Sequence, residues 1–350
     1  MKLESRQAEE TAALVEVTRG SMVESRHRGV VAVLDAEGGL VARLGEPAMR
    51  TWYRSAAKPF QTIPIVASGA AARYGLTAEE LAVITGSHSG EESHLAAVRS
   101  ILARIGEEEG ALQCGAHMPF DEAATKRLRA EGRAAGVLHN NCSGKHAGMV
   151  GLAKFFGEPI ENYIDAKHPI QQRIRIVLAR FADVPVEEIA VAVDGCSAPV
   201  FGVSLAAMAR SYAQLIAVRQ TDIEPELAAA AERVVEAMLE FPEMVGGTSR
   251  RLDTDLMRLS RGQIISKVGA EGVQLLGVKP SPRYPRGLGI AIKIEDGDIR
   301  RARDPVVIET LRQLGLLDEE QLAALAGYAG ARVFNHRKLE VGQVRTCFKL

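Results

Sequence analysis

The recognisable strands of this sequence lie towards its two ends, and most of its helices lie between them. Residues 29–44, GVVAVLDAEGGLVARL, read as two strands around an Ala-Glu-Gly-Gly turn, a β-hairpin. Residues 263–294 return to strand patterns, and GLGIAIKIEDGDIR reads as a second hairpin turning at Asp296-Gly297. Two helices and a last strand, VRTCFKL, close the chain. Strands so far apart in sequence find partners in a sheet built from both ends of the chain, with helices laid on it or inserted between. The expected fold class is therefore α+β: an antiparallel sheet with flanking helices, residues 1–350 forming a single domain. The regular β-α-β alternation of a doubly wound sheet is missing.

The middle of the chain is read from its periodicity and its breakers. Pro59 and Pro64 predict a short or kinked helix within 58–72, with Ser55 at or just before its first turn. Thr77 and Glu80 form a capping box for another short helix. Residues 91–105, 121–134 and 144–156 have helical period, and a longer helical stretch runs to about 181 with an interruption at Pro169. Residues 189–193, IAVAV, are a compact strand ending at Asp194-Gly195-Cys196, and further helices fit 201–217 and 223–240. No composition shift marks a linker, and no internal repeat is visible.

Hydrophobic residues make up 47% and charged residues 25%, enough for a substantial core. A net charge of −1 gives no electrostatic case for nucleic acid or an anionic membrane. No apolar run approaches the ~20 residues of a membrane span. The opening MKLESRQAEE lacks the apolar segment of a secretory leader, so a cytoplasmic location is expected. In that compartment Cys114, Cys142, Cys196 and Cys347 are expected as thiols or metal ligands.

Four polar segments can carry chemistry. Residues 54–61, RSAAKPFQ, put Ser55 three residues before Lys58. On a helix such residues share a face, so the lysine amine can reach the hydroxyl and, once its pKa is lowered, act as its base. This is the Ser-x-x-Lys device of acylating serine hydrolases. Gly86-Ser87-His88-Ser89-Gly90-Glu91 either offers Ser87 as a proton donor or is a helix start with Ser89 as N-cap. Asn140-Asn141-Cys142-Ser143-Gly144-Lys145-His146 holds two of the four asparagines of the chain ahead of a helix N-terminus. That placement suits an anion or oxyanion, with Asn141 a substrate-binding candidate, or else an elaborate cap. Gly144-Lys145 is no phosphate loop, since His139 and His146 stand where that motif needs Gly and Ser or Thr. Asp194-Gly195-Cys196 offers a carboxylate for a substrate ammonium, or an Asx turn. If Cys142 and Cys196 meet, they can hold zinc with His139, Lys145 or His146; the alternative is two inert buried thiols. Lys267-Val268-Gly269 echoes the late Lys-Thr-Gly element of Ser-x-x-Lys enzymes, or is a surface lysine.

Taken together, RGSMVESRHRG at 19–29, RSAAKPFQ at 54–61, GSHSGE at 86–91, NNCSGKH at 140–146, DGCSAP at 194–199 and SKVGAEG at 266–272 resemble the asparaginase II family of the rhizobial, thermolabile type. They span most of the chain in the expected order. The resemblance implies a fold like that of serine β-lactamases and Ser-x-x-Lys glutaminases, and a homodimer. It implies Ser55 and Lys58 as nucleophile and base, Ser87 as a second active-site serine with a lysine partner, and Lys267 as an active-site lysine. Arg54 and Asp194 match groups near the substrate carboxylate and ammonium. Cys142, Lys145 and Cys196 match a zinc site beside the catalytic centre. Ser197 departs from the pattern, which has glycine there.

The implied reaction is hydrolysis of L-asparagine to L-aspartate and ammonia through a serine acyl-enzyme. A glutaminase or another Ser-x-x-Lys amidohydrolase is the nearest alternative. A non-catalytic, zinc-containing amino-acid sensor is the alternative from another class, and an activated nucleophile speaks against it.

Overall fold

The computed structural model describes residues 10–350; the residues preceding Glu10 in the segment read for a secretory leader lie outside it. Eleven strands are found among the described residues: β1 (Ala12–Arg19), β2 (Met22–Leu34), β3 (Leu40–Leu44), β4 (Arg50–Trp52), β5 (Ala190–Val193), β6 (Pro199–Ser204), β7 (Ile264–Gly269), β8 (Val273–Val278), β9 (Leu288–Ile294), β10 (Ala331–Phe334) and β11 (Glu340–Thr346). Seven of them lie in the order β10-β11-β1-β2-β9-β8-β7, and β3 joins β2 to complete an eight-stranded sheet. Every pairing in it is antiparallel. β4-β6-β5 form a smaller antiparallel sheet. The expected α+β architecture, with a sheet drawn from both ends of the chain, is what forms.

β2 is the spine. Its first half pairs with β1 and its second half with both β3 and β9. Alternate side chains of a strand face opposite sides of a sheet. Val30, Ala32 and Leu34 join the core under one layer of helices, and Val31 and Val33 join the core on the other face. Both faces are covered, so the strand reads as a continuous apolar run.

The longer helices are α1 (Lys58–Ala67), α2 (Ala78–Thr85), α3 (Glu92–Ile105), α4 (Ser143–Phe155), α5 (Pro169–Ala182), α6 (Leu205–Ile216), α7 (Pro225–Glu240), α8 (Leu252–Leu259) and α9 (Asp304–Gln313). α6 lies across β2, β8 and β9, with α1, α2, α4, α5 and α7 stacked beyond it. α8 and α9 help to build the core on the opposite face. Pro59 stands in the first turn of α1, where a missing N–H costs nothing, and Pro64 lies inside the helix. The Thr77–Glu80 capping box is formed in both directions, at 3.2 and 2.8 Å.

Several expectations are corrected. Residues 201–217 are not one helix: Pro199–Ser204 is β6, and the helix starts at Leu205, capped by Ser204. Asp296-Gly297 is a turn but not a hairpin, because Asp298 caps a helical segment that leads into α9, while β9 pairs with β8 and β2. The stretch after residue 156 is helical only from Pro169, and the helix within 121–134 ends at Ala130. The last strand stops at Thr346. Glu91, not Ser89, is the N-cap of α3. β1 was not anticipated; it pairs with a half of β2 whose side chains are largely exposed and charged, which conceals the apolar alternation.

Two backbone positions generate stability predictions. A Cβ on Gly289 would overlap the carbonyl oxygen of Ala209, so glycine is what lets α6 press onto β9. Gly289→Ala should destabilise the protein by about 1–3 kcal/mol, as overpacking does, measured by chemical denaturation. Ser197 adopts φ +70°, the left-handed region that explains why glycine is the expected residue there. Ser197→Gly should raise the denaturation midpoint, by roughly 0.5 kcal/mol of stability once the freer unfolded glycine is counted.

Candidate active site

The polar centre is assembled from segments far apart in sequence. A tight turn, Arg54–Ala57, leads into α1, so Ser55 precedes the helix and Lys58 opens it. Ser87 stands in the extended segment after α2, held by a hydrogen bond from its N–H to the Val245 carbonyl at 2.8 Å. Gly86 lets this segment pass close to residues 242–245: a Cβ there would lie 2.5 Å from the Met244 oxygen. Asn141 and Cys142 precede α4, Lys145 lies in its first turn, and Lys267 projects from β7.

Two lysines meet on one serine. Lys267 Nζ donates to Ser87 Oγ at 2.8 Å, and Lys58 Nζ approaches the same oxygen at 3.1 Å. Lys58 also donates to the Gly86 carbonyl and, at 3.2 Å, to the Asn141 carbonyl. Lys267 donates to the Val268 carbonyl at 3.0 Å. Lys58 is 1% exposed and Lys267 0%. Burial lowers the pKa of both amines, and the Lys267 value falls well below the ordinary range. The Lys58 N–H donates to the Ser55 carbonyl, but among the described residues no hydrogen bond joins the Lys58 amine to the Ser55 hydroxyl.

A cleft of about 810 Å³ opens over this centre. Ser55, Ser87 and Asn141 line it, together with residues from β7, α8 and the turn before α9. The Asn141 N–H donates to His117 Nε2 at 2.9 Å, which fixes the loop ahead of α4. Arg54 and Asp194 come together away from the cleft lining. Arg54 Nε donates to Asp194 Oδ1 at 2.8 Å, and the Gly195 N–H donates to the same oxygen at 2.8 Å. An Asx turn would use the Cys196 N–H instead, and the turn here is closed by the Ser197 N–H on the Asp194 carbonyl at 2.9 Å. Burial opposes the Asp194 charge, but Lys145, the Gly195 N–H and Arg54 keep its pKa lowered. Arg54 holds φ +50°, a strained conformation for a non-glycine residue directly before Ser55.

Cys142, Lys145 and Cys196 also converge. Lys145 Nζ donates to Cys196 Sγ at 2.9 Å, and all three residues are buried. The hydrogen bond from Cys196 lowers the Cys142 pKa well below its ordinary value. Burial works against the Lys145 charge, yet the Cys196 and Cys142 sulfurs raise its pKa overall. Among the described residues no group of three or more His, Cys, Asp or Glu side chains is placed to hold a metal ion. The set here has two thiols and an amine.

Sequence reasoning missed Arg251 and Asp253. Arg251 donates to Ser89 Oγ at 2.9 Å and to the Ser87 carbonyl at 2.7 Å, holding the Ser87 segment from the side of α8. Asp253 accepts from Ser266 Oγ at 2.7 Å, the Val268 N–H at 3.0 Å and Gln274 Nε2 at 2.8 Å. In sequence RRLDTD reads as an ordinary charged helix start, and nothing local marks Asp253 as buried or Arg251 as half-buried.

The site can be set beside known proteins. A probable glutaminase from Bacillus subtilis complexed with 6-diazo-5-oxo-L-norleucine has 13% identity over 77% of each chain and a TM-score of 0.36. A β-lactamase from Burkholderia vietnamiensis has 14% identity over 87% of this chain and 92% of its own, with a TM-score of 0.35. Mglu in its native form in 4.3 M NaCl has 17% identity over 83% of this chain and 62% of its own, with a TM-score of 0.45. No curated protein matches the sequence. A family model described as L-asparaginase II matches residues 15–346, a span that includes every residue of the polar centre. The chain belongs to the L-asparaginase II family.

Proposed function

We propose that this amidohydrolase cleaves the side-chain amide of L-asparagine, giving L-aspartate and ammonia, through an acyl-enzyme on Ser55. The observation that carries the reading is the buried run Lys267–Ser87–Lys58 beneath a cleft whose wall presents Ser55. A lysine deprived of water gives up its proton more readily, and its neutral amine then serves as a base. Lys58 takes the Ser55 proton as Oγ attacks the amide carbon. Backbone N–H groups of the Arg54–Ala57 turn, that of Ser55 included, receive the oxyanion. The C–N bond breaks, and Lys58 returns the proton to the departing ammonia. Water then hydrolyses the Ser55 ester. Ser87 and Lys267 form a relay that shares the proton gained by Lys58. Arg54 and Asp194 take the substrate carboxylate and ammonium, parting from each other as they do so.

A second reading makes Ser87 the acyl carrier, because it is the hydroxyl in direct contact with the amines. A diazoketone analogue of asparagine, combined with peptide mass spectrometry, separates the two. Label on Ser55 is expected, and label on Ser87 establishes the second reading. Ser55→Ala should lose at least about a thousandfold in ammonia release with its fold unchanged, the scale on which nucleophile removal acts. Release within about tenfold of wild type sinks the assignment. Wild-type protein that binds asparagine without releasing ammonia is a sensor rather than an enzyme.

Cys142, Lys145 and Cys196 suit zinc in donor chemistry, since two thiols and an amine converge in a buried place. Zinc would supply a fixed positive charge that lowers the pKa of nearby amines. Lys145 would lose its proton to solvent as its amine bound the metal, so loading should release protons and depend on pH. Elemental analysis should find about one zinc per chain, and the Cys142→Ser, Cys196→Ser double variant should hold less than a tenth of that. A metal-free wild type purified without chelators removes zinc from the site.

A further inference from the structure

Asp253 is a buried carboxylate that the reaction just described leaves unused. It sits at the start of α8, 2% exposed, and touches the cleft. Its oxygens accept from Ser266 Oγ and from the Val268 N–H, the residues on either side of Lys267. Gln274 Nε2, on the neighbouring strand β8, reaches both Asp253 Oδ1 at 2.8 Å and Ser266 Oγ at 2.9 Å. Successive side chains of a strand alternate faces. With Ser266 and the Val268 backbone tied to α8, β7 can slide or roll little there, and the Lys267 side chain has one direction left, towards Ser87.

We propose that Asp253 is a positioning residue for Lys267: its carboxylate clamps both sequence neighbours of that lysine to α8 and aims the amine at Ser87. The role rests on the amidohydrolase reading above. Besides Asp253, three charged or titratable groups bear on the Lys267 amine. Burial and the charges of Lys58 and Arg251 favour its neutral form, whereas Asp253 and Cys142 favour the ammonium. Asp253 is itself ionised: burial opposes its charge, but Lys267, Arg251, Arg303 and the Gln274 hydrogen bond outweigh that. The clamp therefore has two effects. It places the amine, and it keeps Lys267 more basic than burial alone would.

Lys267 can accept the proton relayed from Lys58 through Ser87 only above its own pKa, so the rate rises with pH through that value. Removing the Asp253 charge withdraws support from the ammonium and moves the rising limb towards acid. Asp253→Asn keeps the shape and an acceptor while losing the charge. Its kcat should fall at least tenfold with KM changed less than threefold, and its rising limb should shift roughly one pH unit towards acid. Asp253→Glu, which keeps the charge, should leave the limb at the wild-type pH. The same titration can be monitored without turnover from the Lys267 Cε resonance in protein carrying isotope-labelled lysine, where Asp253→Asn should titrate at lower pH. An unmoved Lys267 titration and limb in Asp253→Asn overturns the proposal. Should Asp253→Asn fail to fold, Ser266→Ala removes one partner of the carboxylate and keeps the charge. A several-fold loss of kcat with the limb in place then supports the clamp, and wild-type kcat overturns it. Wild-type protein that turns over no amide defeats the function reading, while the lysine titration still tests the clamp.

Discussion

Two lysine amines held out of water around one serine hydroxyl are the constraint on which the rest of the site depends. A buried ammonium is costly unless acceptors surround it, and it otherwise gives up its proton. Lys58 and Lys267 find their acceptors on three chain segments: the Gly86 carbonyl and Ser87 hydroxyl, the Asn141 carbonyl, and the Val268 carbonyl. Lys58 draws on the first two of these and Lys267 on the first and third, so both amines are satisfied only when all three arrive. This explains why the loops after α2 and before α4 are pinned by their own backbone and side-chain bonds, to Val245 and His117.

Lysines in one polar centre are driven in different directions by their neighbours. Burial, helped by the charges of Lys58 and Arg251, makes the Lys267 pKa fall; Lys145 is buried too but faces sulfur atoms, and its pKa rises. Residue type alone therefore assigns no role. Environments that push the pKa values of like groups apart can give them different protonation states, and here the separation arises within a single centre. The strained backbone at Arg54, directly before Ser55, belongs to the same logic: the Arg54–Asp194 ion pair anchors a turn that local preference would not choose.

The fold was legible where local pattern and tertiary environment agree. The β2–β3 hairpin, the α2 capping box and the proline-marked start of α1 each arise from chemistry contained in a few residues. β6 was hidden because its short apolar run flows without a breaker into α6, and periodicity does not separate a short buried strand from a buried helix. Asp296-Gly297 makes the turn its residues prefer, but a hairpin also needs a free strand edge for the returning chain, and β9 already has β8 and β2 on its two sides.

For the site, the candidate residues were legible in the sequence: a serine three residues before a lysine, a second serine among glycines, asparagines and cysteines ahead of a helix, and a late lysine on a strand. They could be picked out because residue type and short spacing are local properties that survive any packing. Tertiary structure decided the partnerships. It placed Lys267 on Ser87 across most of the chain, turned Lys58 towards that same hydroxyl, joined Arg54 to Asp194, and brought Asp253 under β7. Each of these contacts lies between residues whose separation in sequence carries no information about distance. They form only once the helical middle is laid on a sheet whose strands come from both ends of the chain.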